Sequence, residues 1–222
     1  MYIRKRKSPL SLIILAVVVI GLLSGTAIAK YIYSEELTST VTFSASLAES
    51  LLLEEHEAIR NADGSYTLGT KTIPYTNTNG DEVEGNSYKL LPGVDVPKDP
   101  YVKVVNKTAT AAYLFIEVQD TTSASITYMV DSVNWKHLGV TGPNSGAVYV
   151  YKNSANPDGL VLNNTNCPAE IIPILYAPEG EDEIKVSQYL ADTETKILAF
   201  HAYLYEAHGN KTPEEIFSEH NS

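Results

Sequence analysis

The sequence has little cysteine, little tryptophan and few basic residues. Cys167 is the single cysteine among 222 residues, which excludes a disulfide framework within the chain and a zinc site built from cysteines. Lys and Arg number 16 against 27 Asp and Glu, a formal net charge of −11. Nucleic-acid binding requires a basic face, so this balance argues against a nucleic-acid partner. The aromatic residues are mostly the 15 tyrosines, which suit half-buried strands.

Residues 1–29 have the pattern of an export signal. Residues 4–7 are all basic, residues 10–23 are apolar apart from one serine and one glycine, and the segment ends in Ala27-Ile28-Ala29. This order is typical of a secretory signal peptide and predicts cleavage between Ala29 and Lys30. The uncharged stretch is also long enough to span a bilayer at roughly 20 residues, so a retained anchor stays open. In both interpretations the rest of the chain is exported and only this segment contacts the membrane.

Removal of this segment would make the chain more acidic. It carries four basic and no acidic residues, so the remainder has 12 Lys and Arg against 27 Asp and Glu, a net charge of −15. Such a chain should be soluble and should repel anionic lipids and nucleic acids. We therefore predict an exported protein that does not depend on disulfides, with Cys167 as a small buried or loop residue.

Residues 30–222 are predicted to form a single antiparallel β domain. Hydrophobic residues make up 44% of the chain, enough to bury a core, and no linker divides this part. Short apolar or β-branched runs alternate with Gly, Pro and Asn turns, a pattern typical of a β-sandwich or jelly roll. The predicted strands are residues 38–46, 65–73, 102–105, 113–118, 126–130, 147–151, 171–176 and 197–206.

Three segments have residue patterns that predict specific features of the structure. Residues 113–118 are apolar at nearly every position, which predicts a central strand covered on both faces. In residues 197–206 the even-numbered side chains share one face and the odd-numbered ones the other. The last part of that strand, Tyr203–Glu206, is less apolar than a buried strand requires. A capping box with a proline at the first helical position, Thr212-Pro213-Glu214-Glu215, predicts a short helix that ends at about His220. A weaker pattern predicts one helical turn at residues 187–190.

Patterns for catalysis or metal binding are weak. A metalloprotease helix needs two histidines one turn apart; His56-Glu57 begins that pattern, but Arg60 stands where the second histidine belongs. We predict His56 in a solvated loop or at a sheet edge, and His201 as a half-buried cross-strand residue. The sequence has no G-x-S-x-G elbow, P-loop or dinucleotide fingerprint. We therefore predict that the protein is not an enzyme and has no catalytic residues, cofactor or metal ligands.

Three acidic clusters are predicted to lie in solvated loops. None has the residue spacing of a calcium-binding EF-hand loop, although calcium binding by oxygen-rich loops stays open. The clusters are Glu54, Glu55 and Glu57; Asp81, Glu82 and Glu84; and Glu179, Glu181, Asp182 and Glu183.

Several stretches, taken together, resemble a known family. These stretches are residues 25–31, 43–48, 91–100, 112–118, 148–152, 171–175 and 199–203. The chain resembles the TasA/camelysin-like exported proteins of Gram-positive bacteria, whose precursors carry a SipW-type signal peptide. The resemblance covers nearly the whole chain. Its most specific parts are the end of the signal, from Gly25-Thr26, and the Pro-Gly-x-x-x-x-Lys-Asp-Pro stretch at residues 92–100.

The resemblance implies a jelly-roll-like β-sandwich, cleavage by a dedicated signal peptidase, and a place in the cell envelope or biofilm matrix. In TasA-like fibres the freed N-terminal segment of one subunit pairs with the sheet of the next. Carried over to this chain, the donor lies within residues 30–47, with Thr38, Thr40, Val41, Thr42 and Phe43 as its candidate residues. A Thr- and Val-rich strand at a free terminus can complete an open sheet edge and give a head-to-tail contact that does not close. The alternative is that residues 38–46 form the first strand of the chain's own sheet.

Three functions remain in competition. The first is a structural subunit of extracellular fibres or of the cell-surface layer, whose partners are other copies of itself or related matrix proteins. The second is an adhesin, a monomeric surface module that presents loops to a glycan or a protein. The third is proteolysis, implied because camelysin-type relatives have been described as surface metalloproteases, and it is disfavoured by the lack of a two-histidine helix.

Overall fold

The computed structural model describes residues 33–36, 40–43, 51–74, 85–86, 88, 93–105, 110–122, 126–187 and 198–221. These residues form antiparallel strands and one short C-terminal helix. The predicted signal segment with Ala27, Ala29 and Lys30 lies outside the described residues. The same holds for Thr38, for the acidic cluster at residues 81–84 and for most of the helical turn expected at residues 187–190.

The strands are named in chain order. They are β1 (Tyr33–Glu36), β2 (Thr40–Phe43), β3 (Leu51–Arg60), β4 (Tyr66–Pro74), β5 (Tyr101–Val104), β6 (Ala112–Asp120), β7 (Ile126–Thr127), β8 (Met129–Val130), β9 (Trp135–Thr141), β10 (Ala147–Tyr151), β11 (Val161–Leu162), β12 (Ile172–Pro173), β13 (Leu175–Tyr176), β14 (Lys185–Val186) and β15 (Leu198–Glu206). The helix α1 spans Pro213–His220.

The larger sheet is built around β6. β15 pairs with β6 along all nine of its residues, from Leu198 opposite Asp120 to Glu206 opposite Ala112. Because β15 occupies one whole edge of β6, the other edge is shared by β10 and β11. β9 follows β10, and the sheet curls into a half barrel. The predicted central strand at residues 113–118 is therefore confirmed.

The second sheet has the order β12-β5-β3-β4. β3 is ten residues long and contains a register shift between His56 and Ala58 where it pairs with β4. The sequence interpretation placed its glutamates in loops and missed this strand. The predicted runs at residues 126–130 and 171–176 are each divided into two short strands: β7 pairs with β14, β8 with β13, and β12 with β5.

The core covers both faces of β6. Leu114 and Ile116 are fully buried in the apolar layer that contains Leu53 and Val102 of the second sheet, and Phe115 is fully buried on the opposite face. Each fully buried side chain of this size contributes about 1.5–3 kcal/mol relative to an exposed one. Central strands of this kind need apolar residues at consecutive positions, which is why this strand could be recognised from the sequence.

β15 is buried along most of its length, so the expectation that its end is too polar for the core is wrong. The even-numbered side chains share one face, as predicted, and this face joins the layer between the sheets. The odd-numbered Tyr203 and Tyr205 are 0% and 2% exposed. The Tyr203 hydroxyl donates to Glu117 Oε2 at 2.6 Å, and Asn221 Nδ2 donates to the Tyr205 hydroxyl at 3.2 Å. Partnered hydroxyls remove the cost of burying tyrosine, and the rings supply apolar area.

The helix α1 confirms the prediction from its capping box. Thr212 Oγ1 accepts from the Glu215 N–H, and Glu215 Oε2 accepts from the Thr212 N–H at 2.8 Å. Ile216 and Phe217 are buried against the odd-numbered face of β15. The helix therefore covers the side of the large sheet that faces away from the second sheet.

Candidate assembly edge

The outer edge of β15 is the candidate assembly site. Among the strands that the structure describes, β15 pairs with β6 alone. Cα atoms of β2 lie within 8 Å of Cα atoms of β15. Stacked sheets are about 10 Å apart, and both faces of β15 are already covered by core residues, so β2 approaches β15 along its free edge.

The candidate donor residues Thr40, Val41, Thr42 and Phe43 form β2. This strand pairs with β1 in an antiparallel hairpin, with Tyr33 opposite Phe43 and Glu36 opposite Thr40. A strand edge presents backbone N–H and C=O groups that a neighbouring strand can pair with. The hairpin thus places the N-terminal segment next to β15, a nine-residue strand whose second edge forms no ladder with another described strand.

A buried ion pair joins the Lys-Asp-Pro stretch to β3. Lys98 Nζ lies 2.7 Å from Glu55 Oε2, and the side chains are 6% and 0% exposed. The prediction of a solvated loop for Glu55 is therefore wrong. Every second side chain at the start of β3 is buried, namely Leu51, Leu53 and Glu55. Lys98 supplies the opposite charge that the buried Glu55 carboxylate needs.

A second pair lies on the opposite face of the same strand. The His56 N–H donates to Asp99 Oδ1 at 3.0 Å, and His56 Nδ1 lies 2.5 Å from Asp99 Oδ2. His56 belongs to β3, so the prediction of a loop is wrong. The ladder between β3 and β5 ends at Glu54, and at His56 the strand pairs with β4 alone, which agrees with the edge position that was the other alternative. Next to this pair the Tyr101 hydroxyl donates to Glu54 Oε2 at 2.9 Å. Burial and the Glu54 carboxylate raise the pKa of Tyr101 above its usual value.

Asn86 and Glu183, from two other parts of the chain, join this cluster around β3. The Asn86 N–H donates to Glu55 Oε1 at 2.8 Å, while its carboxamide bonds the backbone of His56 and Ala58 at the register shift. Glu183 Oε2 accepts from the Lys98 N–H at 3.0 Å. Burial raises the pKa of Glu183. Segments that are distant in sequence therefore contact the same part of β3. Of these segments, only residues 92–100 had been recognised in the sequence as a motif.

A second buried carboxylate organises the loop between β9 and β10. Glu117 is 0% exposed and accepts from the Gly146 N–H at 2.7 Å, the Asn144 N–H at 2.9 Å and the Tyr203 hydroxyl at 2.6 Å. A Cβ atom added to Gly146 would lie 2.6 Å from Glu117 Cγ and from the Val118 carbonyl oxygen, so this position requires glycine. Burial, followed by the hydrogen bond to Glu117, raises the pKa of Tyr203. His201 lies opposite Glu117 in the register. It is buried, whereas the sequence predicted a half-buried residue.

A surface cavity of about 310 Å³ lies beside the short strand pairs. Its walls include Tyr128, Met129 and Tyr176, and Glu181 and Asp182 lie at the same cavity. Lys185 pairs with Glu181 at 2.9 Å. Burial, and then the charge of Asp95, raise the pKa of Asp182. Within the described ranges no group of three His, Cys, Asp or Glu side chains is arranged to hold a metal ion.

Cys167 and Trp135 lie where the core meets the loops. Cys167 is partly buried against the main apolar layer, in the loop that follows β11. Trp135 is 2% exposed, and its Nε1–H donates to the Pro173 carbonyl oxygen at 2.7 Å. Trp135 begins β9, a strand that the sequence interpretation missed.

In the described part of the chain, no helix has the length and apolar character needed to cross a bilayer. No family model matches the chain, and comparisons with curated proteins and with solved structures give no match either.

Proposed function

We propose that this chain is an exported structural protein, a subunit of extracellular biofilm-matrix fibres or of the cell-surface layer. In this proposal residues 30–222 form one jelly-roll-like β-sandwich. A signal peptidase removes residues 1–29, and the freed N-terminal strand of one copy pairs with the sheet of the next. The observation that carries the proposal is the proximity of β2 to β15, whose outer edge forms no ladder with another described strand.

The geometry of β15 favours exchange of its edge partner. Both faces of the strand are already packed, so an incoming strand adds backbone hydrogen bonds without any need to rebuild the core. A donor at one site and an acceptor at another make a heterologous contact, and such contacts propagate into filaments when they do not close.

Export and cleavage would control this assembly in time. Before cleavage the apolar segment at residues 10–23 would keep the donor strand close to the membrane and away from partners. After cleavage the net charge of −15 makes subunits repel one another. Salt screens such repulsion, so assembly is expected to proceed faster at higher ionic strength.

The experiment compares the mature chain, residues 30–222, with a shorter chain that lacks residues 30–46. Electron microscopy and light scattering should show filaments from the longer chain alone. Stable monomers of both chains, across concentration and pH, would rule out the fibre proposal. Filaments of both chains would rule out the N-terminal strand as the donor.

A surface binding module is the second candidate, and the cavity beside Tyr128 and Tyr176 favours it. Met129 and Tyr176 are 52% and 48% exposed, and they lie opposite each other in the β8–β13 pair. Exposed aromatic side chains at a concave site are typical of ligand binding. Glycan or peptide binding by a monomeric chain, lost in a Tyr176→Ala variant and kept in a Val133→Ala variant, would support this candidate over the first.

A further inference from the structure

Lys98 and Glu55 bring an ammonium group and a carboxylate into direct contact, almost completely shielded from water. Lys98 Nζ lies 2.7 Å from Glu55 Oε2, and water reaches only 6% and 0% of the two side chains. The two residues lie 43 positions apart, one on β3 and one just before β5. These neighbouring strands hold both groups in one fixed arrangement, which raises their effective concentration toward each other.

Two aromatic rings lie near the ammonium group of the pair. Lys98 Nζ lies 5.9 Å from the centre of the Tyr88 ring and 5.7 Å from the centre of the Phe200 ring. Charged groups in such surroundings are costly compared with neutral ones, because water no longer solvates them. An amide in place of the two charges removes that cost and keeps polar atoms at the site.

We propose that Lys98 and Glu55 condense after folding into an intramolecular amide bond. Lys98 Nζ gives one proton to Glu55 Oε2, and the resulting amine attacks Glu55 Cδ. The bond from Nζ to Cδ forms, the bond from Cδ to Oε2 breaks, and the oxygen leaves as water. That water carries two of the three ammonium hydrogens and the amide keeps the third, so the step needs no oxidant, reductant or co-reactant.

One backbone group is placed to assist this step. The Asn86 N–H donates to Glu55 Oε1 at 2.8 Å, on the carboxylate oxygen that is retained in the amide. Negative charge develops on this oxygen when the amine adds to Cδ. A fixed N–H donor that points at such an oxygen stabilises the transition state.

The consequence is a covalent tie inside a chain with a single cysteine. The bond would join β3 to the segment before β5 and close a loop between residues 55 and 98. Closure of a loop of this kind restricts the unfolded chain, as a disulfide does. An exported protein would thereby gain a cross-link that reducing agents do not break.

The test is the mass of the purified full chain after complete denaturation, followed by proteolysis and sequencing of the peptides by tandem mass spectrometry. Denaturation separates a plain ion pair and leaves an amide intact. We expect a chain lighter by one water molecule and a branched peptide that joins Glu55 to Lys98. Full mass, with separate peptides containing Glu55 and Lys98, would overturn the proposal. Loss of one ammonia molecule would also overturn it, because the bond would then involve an amide side chain such as that of Asn86.

Two variants serve as controls. Lys98→Arg keeps the positive charge and should restore the full mass. Lys185→Arg is the matched control, because Lys185 Nζ lies 2.8 Å from Asp95 Oδ2 in an exposed ion pair, and this variant should still lose one water molecule. Loss of water in Lys98→Arg would place the reaction elsewhere and contradict the assignment. The mass of the unaltered chain decides the question even where a variant fails to fold.

Discussion

Replacement of Tyr203 by phenylalanine tests whether the buried carboxylate of Glu117 organises the large sheet. The change removes only the hydroxyl, which donates to Glu117 Oε2 at 2.6 Å, and it leaves the ring against Phe217. A hydrogen bond to a charged group contributes about 1.5–3 kcal/mol. For a domain of this length such a loss lowers Tm by roughly 3–12 °C.

Tyr205 provides the matched control for this variant. It lies on the same face of β15, is 2% exposed and also contacts Phe217. Its hydroxyl accepts from Asn221 Nδ2, a neutral group, at 3.2 Å. Loss of a neutral hydrogen bond costs about 0.5–1.5 kcal/mol, so Tyr205→Phe should destabilise the protein less than Tyr203→Phe.

Urea unfolding followed by tyrosine fluorescence or circular dichroism measures both variants. The pH dependence supplies a second test, because burial and Glu117 raise the pKa of Tyr203 above its ordinary value of 10.0. A raised pKa means that this contribution is complete below pH 10 and is lost as the pH rises further. The difference between the unaltered chain and Tyr203→Phe should therefore shrink above pH 10. Equal effects of the two variants, or an effect of Tyr203→Phe below about 0.5 kcal/mol, would refute the reasoning.

The remaining predictions concern a glycine, a helix cap and a histidine. Gly146→Ala should cost about 1–3 kcal/mol in urea unfolding, since its Cβ would lie 2.6 Å from Glu117 Cγ; unchanged stability would contradict this close approach. Thr212→Ala should cost about 1 kcal/mol, because the Glu215 N–H loses its acceptor; thermal unfolding measures it, and no change would contradict the cap. Burial lowers the pKa of His220 below its ordinary value of 6.5, so stability should fall as the pH drops through 6.5. The His220 ring stacks on the Tyr205 ring, with 4.3 Å between ring centres. His220→Phe should reduce that fall, and an identical pH profile would contradict the lowered pKa.

Local signals explain which parts of the fold could be predicted from the sequence. The helix α1 follows from its capping box and proline, and β6 follows from its continuous apolar run. β10 matches the predicted residues 147–151 at both ends. Each of these elements is predicted by a pattern within ten consecutive residues and does not require knowledge of contacts with distant residues.

The missed elements depend on contacts between distant residues. β3 contains four charged residues and therefore resembles a solvated loop, yet Glu55 is buried because Lys98 lies beside it. The run at residues 126–130 is divided because its two halves pair with different strands, β14 and β13. Both outcomes depend on pairing across the fold, and a single sequence does not encode such pairing in a local pattern.

The same reason limited prediction of the candidate site. The Thr- and Val-rich composition of residues 40–43 was enough to predict a strand, and β2 confirms one there. Its position beside β15 depends on which edge the rest of the fold leaves open. The motif at residues 92–100 was visible in the sequence. Only the structure shows that its Lys98 pairs with Glu55 and its Asp99 with His56.

The most direct test of assembly through the N-terminal strand is filament length measured in mixtures of two chains. The first is the mature chain, and the second carries Val41→Pro together with Thr42→Pro. Neighbouring N–H groups of a strand point to opposite edges, so the double proline variant cannot complete a ladder on either side of β2. Its β15 edge is unchanged, so it accepts a donor strand but cannot donate one.

Filaments should shorten as the fraction of the proline variant rises, and the variant alone should stay monomeric. A control variant that exchanges the two residues, Val41→Thr with Thr42→Val, should form filaments of ordinary length. Electron microscopy of these mixtures gives the length distribution directly. Filaments whose length does not depend on the fraction of the proline variant, or full-length filaments of that variant alone, would contradict assembly through the N-terminal strand.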